Sequence, residues 1–173
     1  MPLDSLYTLL VTELRCIYQA ENQLLTALPQ MATFASTPAL KRALESHFSE
    51  TEEQVRRLEQ AFAELGAAAR GRRCKGMEGL IEEIEDILEE ASDDEAILDT
   101  ALIGAVRRVE HYEIAAYASA VSYAELLDEA RVATLLRTSL EEEKAADREL
   151  SRIAEAEVNA MAVVAGTEEA IEA

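Results

Sequence analysis

The run VEHYEIAAY, Val109 to Tyr117, decides the fold. With Val106 just before it, Val109, Glu110, Glu113 and Tyr117 recur at steps of three and four residues. In a helix of about 3.6 residues per turn those positions share one side. Two acids therefore lie on the side that valines and a tyrosine mark as buried. A carboxylate taken out of water without a partner costs several kcal/mol, so it keeps a proton or finds a cation.

Working outward, the same helical periodicity covers most of the chain. Leu6, Leu9, Leu10, Leu14, Ile17, Leu24, Leu25 and Leu28 predict a first helix over about 3–28, started by Asp4 or Ser5 and ended by Pro29 and the Ser36-Thr37-Pro38 stretch. A second runs from Pro38 to Leu65, with Gly66 as its C-terminal cap. A glycine-bearing basic segment leads to a short helix near Met77 to Glu90. Ser92-Asp93-Asp94-Glu95 reads as the start of a third long helix reaching about Leu127, and a fourth follows a break near Asp128. No alternating strand pattern competes. Four long amphipathic helices predict an all-α four-helix bundle over 1–160, with a flexible C-terminal tail over 161–173. The connection between the second and third long helices holds the short extra helix, and its length suits a crossover of the ferritin-like kind.

The charge narrows the partners. The chain has 35 acids against 16 bases, a net charge of -19, which argues against nucleic acid and against anionic lipid but suits dissolved cations. No apolar stretch reaches the ~18 residues of a membrane span, and the N-terminus lacks a signal-peptide pattern, so a cytoplasmic protein is expected. Cys16 and Cys74 stand 58 residues apart with no second cysteine near either. A disulfide scaffold is not expected; Cys16 reads as a small buried hydrophobe, and Arg70, Arg72, Arg73 and Lys75 should lower the pKa of Cys74.

Each long helix carries an acid on its apolar side. Glu21 sits on the stripe of Ile17 and Leu24; His47 and Glu50 stand at i and i+3 beside Leu44; Glu110 and Glu113 repeat that spacing; Glu143 and Asp147 continue the line of Leu136, Leu140 and Leu150. Six inward acids with too few inward bases point to metal. Hard oxygen donors neutralise a divalent pair, bridging carboxylates hold two ions ~3.5–4 Å apart, and imidazole shifts the preference from calcium towards iron, then manganese or zinc. Each element also has a plainer reading. His47 can be an ordinary polar residue at a helix edge, and Glu113 and Asp147 can reach for water at the boundary. Glu52, Glu53, Glu141 and Glu142 read as solvated surface acids. Tyr18 or Tyr117 can hydrogen-bond a ligand carboxylate.

Five runs together resemble the ferritin-like superfamily, and more closely the YciE/YciF family of bacterial stress-associated proteins. They are YQAENQLL at Tyr18 to Leu25, HFSETEEQ at His47 to Gln54, CKGMEGLIEE at Cys74 to Glu83, VEHYEIAAY, and LEEEKAAD at Leu140 to Asp147. The resemblance implies a di-iron centre, rubrerythrin-like in its Glu110-x-x-Glu113 pair, with Glu21, Glu50, Glu110 and Glu143 carried over as ligands. It also implies a homodimer, a peroxidase or ferroxidase-like step under stress, and an external electron donor, because no cysteine-rich electron-transfer module is present. The sequence departs from the usual Glu-x-x-His pattern: the order on the second helix is reversed as His47-x-x-Glu50, and Ala146 stands where the fourth helix would carry its histidine. The contrasting reading is a non-catalytic protein whose bundle the metal merely clamps.

Overall fold

Leu10, Leu14, Ile17, Glu21, Leu24 and Leu28 form one buried line along the first helix, α1, which spans Leu6–Phe34. Four further helices follow: α2 Pro38–Glu64, α3 Lys75–Glu89, α4 Glu95–Leu126 and α5 Ala130–Ile153, closed by a π-helical turn at Ala154–Val158. The computed structural model describes residues 4–90, 94–159 and 161–163, and no strand occurs among them. Ser92, Asp93 and most of the expected tail, 164–173, lie outside the described residues.

The helix ends follow local chemistry. The Ser5 hydroxyl accepts the Thr8 N–H at 3.1 Å to start α1. Asp94 accepts from the Ala96 and Ile97 N–H groups at 2.9 and 3.1 Å to start α4. Pro38 occupies the first turn of α2, where its missing N–H is not needed, and Gly66 follows that helix with φ of 63°. One expected boundary moves. Pro29 does not end α1, which runs five residues further to Phe34, because Met31 and Ala32 continue the buried stripe and their burial outweighs the lost backbone bond.

The four long helices close a ring: α1 packs on α2 and α4, and α5 packs on α2 and α4. One apolar cluster joins the C-terminal half of α1 to the start of α2, the first half of α4 and the end of α5. A second joins the N-terminal half of α1 to the end of α2, the second half of α4 and the start of α5. Every ring neighbour is therefore antiparallel, and α2 and α4 run the same way across a diagonal. The chain makes that possible with a long crossover, whose α3 lies against α1 and α4.

Asp99 fastens the α1–α2 corner. Its buried carboxylate accepts the Ser36 N–H at 3.0 Å and the Thr37 N–H at 2.7 Å, from 62 or more residues away. Asp99→Ala strands both donors and is expected to cost about 2 kcal/mol, read as a fall of roughly 4–8 °C in a thermal melt. Among the described residues no helix is long and apolar enough to cross a membrane.

Candidate metal centre

The two apolar clusters leave a belt at mid-bundle, and polar side chains fill it. On α1 the belt is Glu21, between Ile17 and Leu24; on α2 it is His47, Thr51 and Gln54, between Leu44 and Leu58. On α4 it is Glu110 and Glu113, between Val109 and Tyr117, and on α5 it is Glu143, between Leu140 and Leu150. The helices place these groups by heptad spacing: each belt residue occupies the next inward position of a stripe that is otherwise leucine, isoleucine or valine.

His47, Glu110, Glu113 and Glu143, from three helices, each offer one ligand atom within 4.8 Å of the other three. His47 Nε2 lies 3.5 Å from Glu110 Oε1 and 4.0 Å from Glu143 Oε2. Glu21 is fully buried beside this group, and one of its oxygens accepts the Tyr117 hydroxyl. Its other oxygen has no hydrogen-bond partner. The same is true of both nitrogens of His47, all four oxygens of Glu110 and Glu113, and one oxygen of Glu143. Interiors rarely leave polar atoms so, and a set of hard oxygens with one imidazole is what a divalent cation takes up. The residues fit a metal.

Their protonation reports the same strain. Burial pushes Glu21 up to about 8, with the nearby Glu143 charge adding to it. Burial also raises Glu110 and Glu113 well above the ordinary carboxylate range and raises Glu143, although the His47 charge offsets part of the rise for Glu110 and Glu143. For His47 burial acts downward, but Glu110, Glu50, Glu143 and Glu21 outweigh it and hold the imidazole up to about 10. The carboxylates thus compete for protons and for one imidazolium, a competition that a cation would end.

Two of the residues expected as ligands stand apart from this group. Glu50 is 41% exposed in its side chain, with a carboxylate oxygen 3.9 Å from His47 Nδ1. At about 100° per residue it lies some 60° round α2 from His47, whereas Gln54 returns to within about 20°. Asp147 accepts from Arg107 Nε at 2.8 Å and stands 3.3 Å from His111 Nε2, an ion pair at the bundle's edge. Glu113, by contrast, is buried, and not a boundary residue reaching for water.

Sequence reasoning passed over Gln54. Its amide donates to Glu143 and, at 3.2 Å, to Glu142. Both oxygens of Glu142 in turn accept from Arg57 Nη2, at 2.6 and 2.9 Å, so it is a half-buried strut between α2 and α5 and not a solvated acid. The signal was the spacing His47, Thr51, Gln54, which fills the interval between Leu44 and Leu58 at steps of three and four. Of the two tyrosines, Tyr117 reaches a belt carboxylate, while Tyr18 donates to the exposed Glu59 at 3.0 Å. Tyr117→Phe is expected to leave the fold intact and to weaken metal affinity about 10-fold, measured by competition with a chromogenic chelator.

A cavity of about 190 Å³ opens between α2, α4 and α5 and reaches His47 and Glu110. Glu50 and Glu149 line it together with Leu44, Val106 and other apolar side chains. It is roomy enough for several water-sized molecules and offers a route to the belt for a small solute.

A ring of antiparallel helices around a buried histidine–carboxylate cluster defines the class: an all-α bundle protein with a candidate metal centre. The chain belongs to the family described as Domain of unknown function (DUF892), whose model matches residues 5–163, and within it to the YciE/YciF group. Protein YciF of Escherichia coli K12 is 41% identical over 143 residues, which cover 82% of this chain and 86% of that protein. The crystal structure of the E. coli stress protein YciF superposes with a TM-score of 0.86 at 36% identity, covering 90% of this chain and 98% of that one. YcfI of Rhodopseudomonas palustris, provisionally described as a structural protein, gives 0.84 at 39% identity over 86% of this chain and 94% of that one. A Xanthomonas campestris protein gives 0.74 at 26% identity, over 94% and 99%.

Proposed function

We propose that the protein is a di-metal carboxylate protein, with iron the first choice and manganese or zinc behind it, that reduces peroxide or oxygen in a bacterial stress response. The carrying observation is the set of buried, unpartnered donor atoms on His47, Glu110, Glu113 and Glu143, with Glu21 beside them. A bound iron or manganese pair would supply the electrons and the electrophilic site for the O–O bond; zinc, which has no redox chemistry, would suit only a structural role. The chain's own contributions are separable from that. Glu110, Glu113 and Glu143 would hold the ions, and His47 would supply the nitrogen ligand. Tyr117 keeps one oxygen of Glu21 turned towards its hydroxyl, and Gln54 does the same for Glu143. The largely apolar cavity would give a small neutral oxidant a route to His47 and Glu110. Glu50, which lines that cavity, would complete the set by rotating inward, and Asp147 would orient α5 through Arg107.

The E. coli relative is described as a stress protein, which supports the setting. A cytoplasmic homodimer drawing electrons from another protein is the form proposed for it, with 1–160 acting as the single folded domain. The test loads the purified protein with ferrous iron, counts metal per chain, and follows hydrogen peroxide consumption with a chemical reductant. About two irons per chain and repeated turnover are expected; metal far below one per chain with no turnover contradicts the reading.

The description of the R. palustris relative as structural favours a second reading, in which the metal only clamps the bundle. It expects the same metal content and metal-dependent melting, but no peroxide consumption.

A further inference from the structure

Outside the belt, the two cysteines form a cluster of their own. Cys16 on α1 and Cys74 at the N-terminal cap of α3 are free thiols whose sulfurs lie 2.7 Å apart, less than one ångström longer than a disulfide bond. The Tyr112 hydroxyl sits 2.9 Å from the Cys74 sulfur and 3.6 Å from that of Cys16. Nothing in the proposed metal chemistry uses these three groups.

The surrounding backbone is built to hold the sulfurs together. The Arg72 N–H donates to the Arg15 carbonyl at 3.0 Å, which seats the crossover on α1 one residue from Cys16. Gly71 lies so near α1 that a Cβ there would stand 3.1 Å from Gln19 Cβ, and a Cβ on Gly76 would stand 2.6 Å from the Tyr112 ring. A side chain at Gly71 or Gly76 would have to displace Gln19 or the Tyr112 ring, so the two glycines allow the segment its close approach to α1 and α4. Cys74 itself is buried, while Cys16 is only partly so, which puts the pair at the edge of the core.

We propose that Cys16 and Cys74 are a reversible dithiol–disulfide pair, oxidised by hydroperoxides, which staples the crossover to α1. The hydrogen bond from Cys16 pulls the Cys74 thiol down to about 6 against its burial, with Tyr112 and the Met77 N–H adding to the pull. The neighbouring arginines and Lys75, from which the sequence suggests this lowering, are not its main source. The Cys74 thiolate attacks the terminal, hydrogen-bearing oxygen of the hydroperoxide, the O–O bond breaks, and the departing alkoxide takes up the proton that Cys74 had released. Cys74 is then a sulfenic acid. The Cys16 sulfur displaces its hydroxyl, the S–S bond forms, and the Cys16 proton leaves with that hydroxyl as water. Two thiols lose two electrons, and one hydroperoxide becomes an alcohol and water, or two waters when it is hydrogen peroxide.

The experiment treats the reduced full-length chain with one molar equivalent of hydrogen peroxide and then alkylates it for peptide mass mapping. The cross-linked fraction should rise from near zero to most of the chains, as a single peptide pair joining Cys16 to Cys74 that a dithiol reductant reverses. In Cys16→Ser the cross-link should vanish and Cys74 should be trapped by a sulfenic-acid reagent. Persistence of both thiols, or their separate over-oxidation with no cross-link, overturns the proposal. The parent chain alone decides this even if a variant fails to fold.

Discussion

Replacing Glu113 by leucine is expected to stabilise the metal-free protein and to weaken the metal-loaded one. Neither oxygen of Glu113 has a hydrogen-bond partner, and burial holds its carboxyl well above the ordinary range. Without metal the residue is a buried acid that gives little in return for its desolvation. Apolar replacement of a buried ion pair is often neutral or stabilising by about 1–4 kcal/mol, and an unpartnered buried acid has still less to lose. With metal the same carboxylate is a ligand. A cation present at about a thousand times its dissociation constant adds roughly 4 kcal/mol to the native state, or about 10 °C for a chain of this size. Glu113→Leu should therefore melt several degrees above the parent in chelator and fall below it in saturating manganese. A conventional core loss would lower both curves, so opposite signs in the two buffers identify a ligand. Melts of parent and variant with and without chelator check this.

The second large effect is a pH dependence whose sign reverses with metal. In the unfolded chain Glu21 releases its proton near the ordinary carboxylate value, while in the fold it keeps the proton up to about 8. Between those values the native state binds more protons than the unfolded state, so stability falls as pH rises through that window. His47 acts in the same direction. Its raised value, about 10, contributes stability that is complete below its ordinary value of 6.5 and is lost as pH climbs through 10. Glu110, Glu113 and Glu143, all raised, add to the trend. The metal-free protein should lose on the order of a few kcal/mol between about pH 5 and pH 9. In the metal-loaded protein protons compete with the cation for the same atoms, so stability should instead rise with pH over the acidic part of the range. Thermal melts at half-unit intervals, in chelator and in manganese, distinguish the two curves; parallel curves would count against a metal in the belt.

The parts of this protein that could be read from the chain are those with local periodicity. Leu10, Leu14, Ile17, Glu21, Leu24 and Leu28 announce both α1 and its buried acid, because a helix side is a matter of spacing alone. The same holds for Glu110, Glu113 and Glu143. Glu50 shows where spacing is not enough: i and i+3 can meet on a helix surface, yet His47, Thr51 and Gln54 occupy the inward line and Glu50 stands to one side, so its place in the proposed ligand set rests on a rotation. Asp147 lay on the right side of α5, but Arg107 and His111 on α4 claimed it, and a pairing across helices has no signature within either one. The cysteine pair was further out of reach. Its 58-residue separation is closed by an irregular segment whose docking rests on Arg72, Gly71 and Gly76, and no period marks such a path.

Anomalous diffraction tests most directly whether the belt holds metal. Crystals grown with ferrous iron, measured on both sides of the iron absorption edge, should show two anomalous peaks among His47, Glu110, Glu113 and Glu143, with Glu21 in contact with one of them. No peak in the belt, with iron found only against surface acids, would contradict a metal centre there.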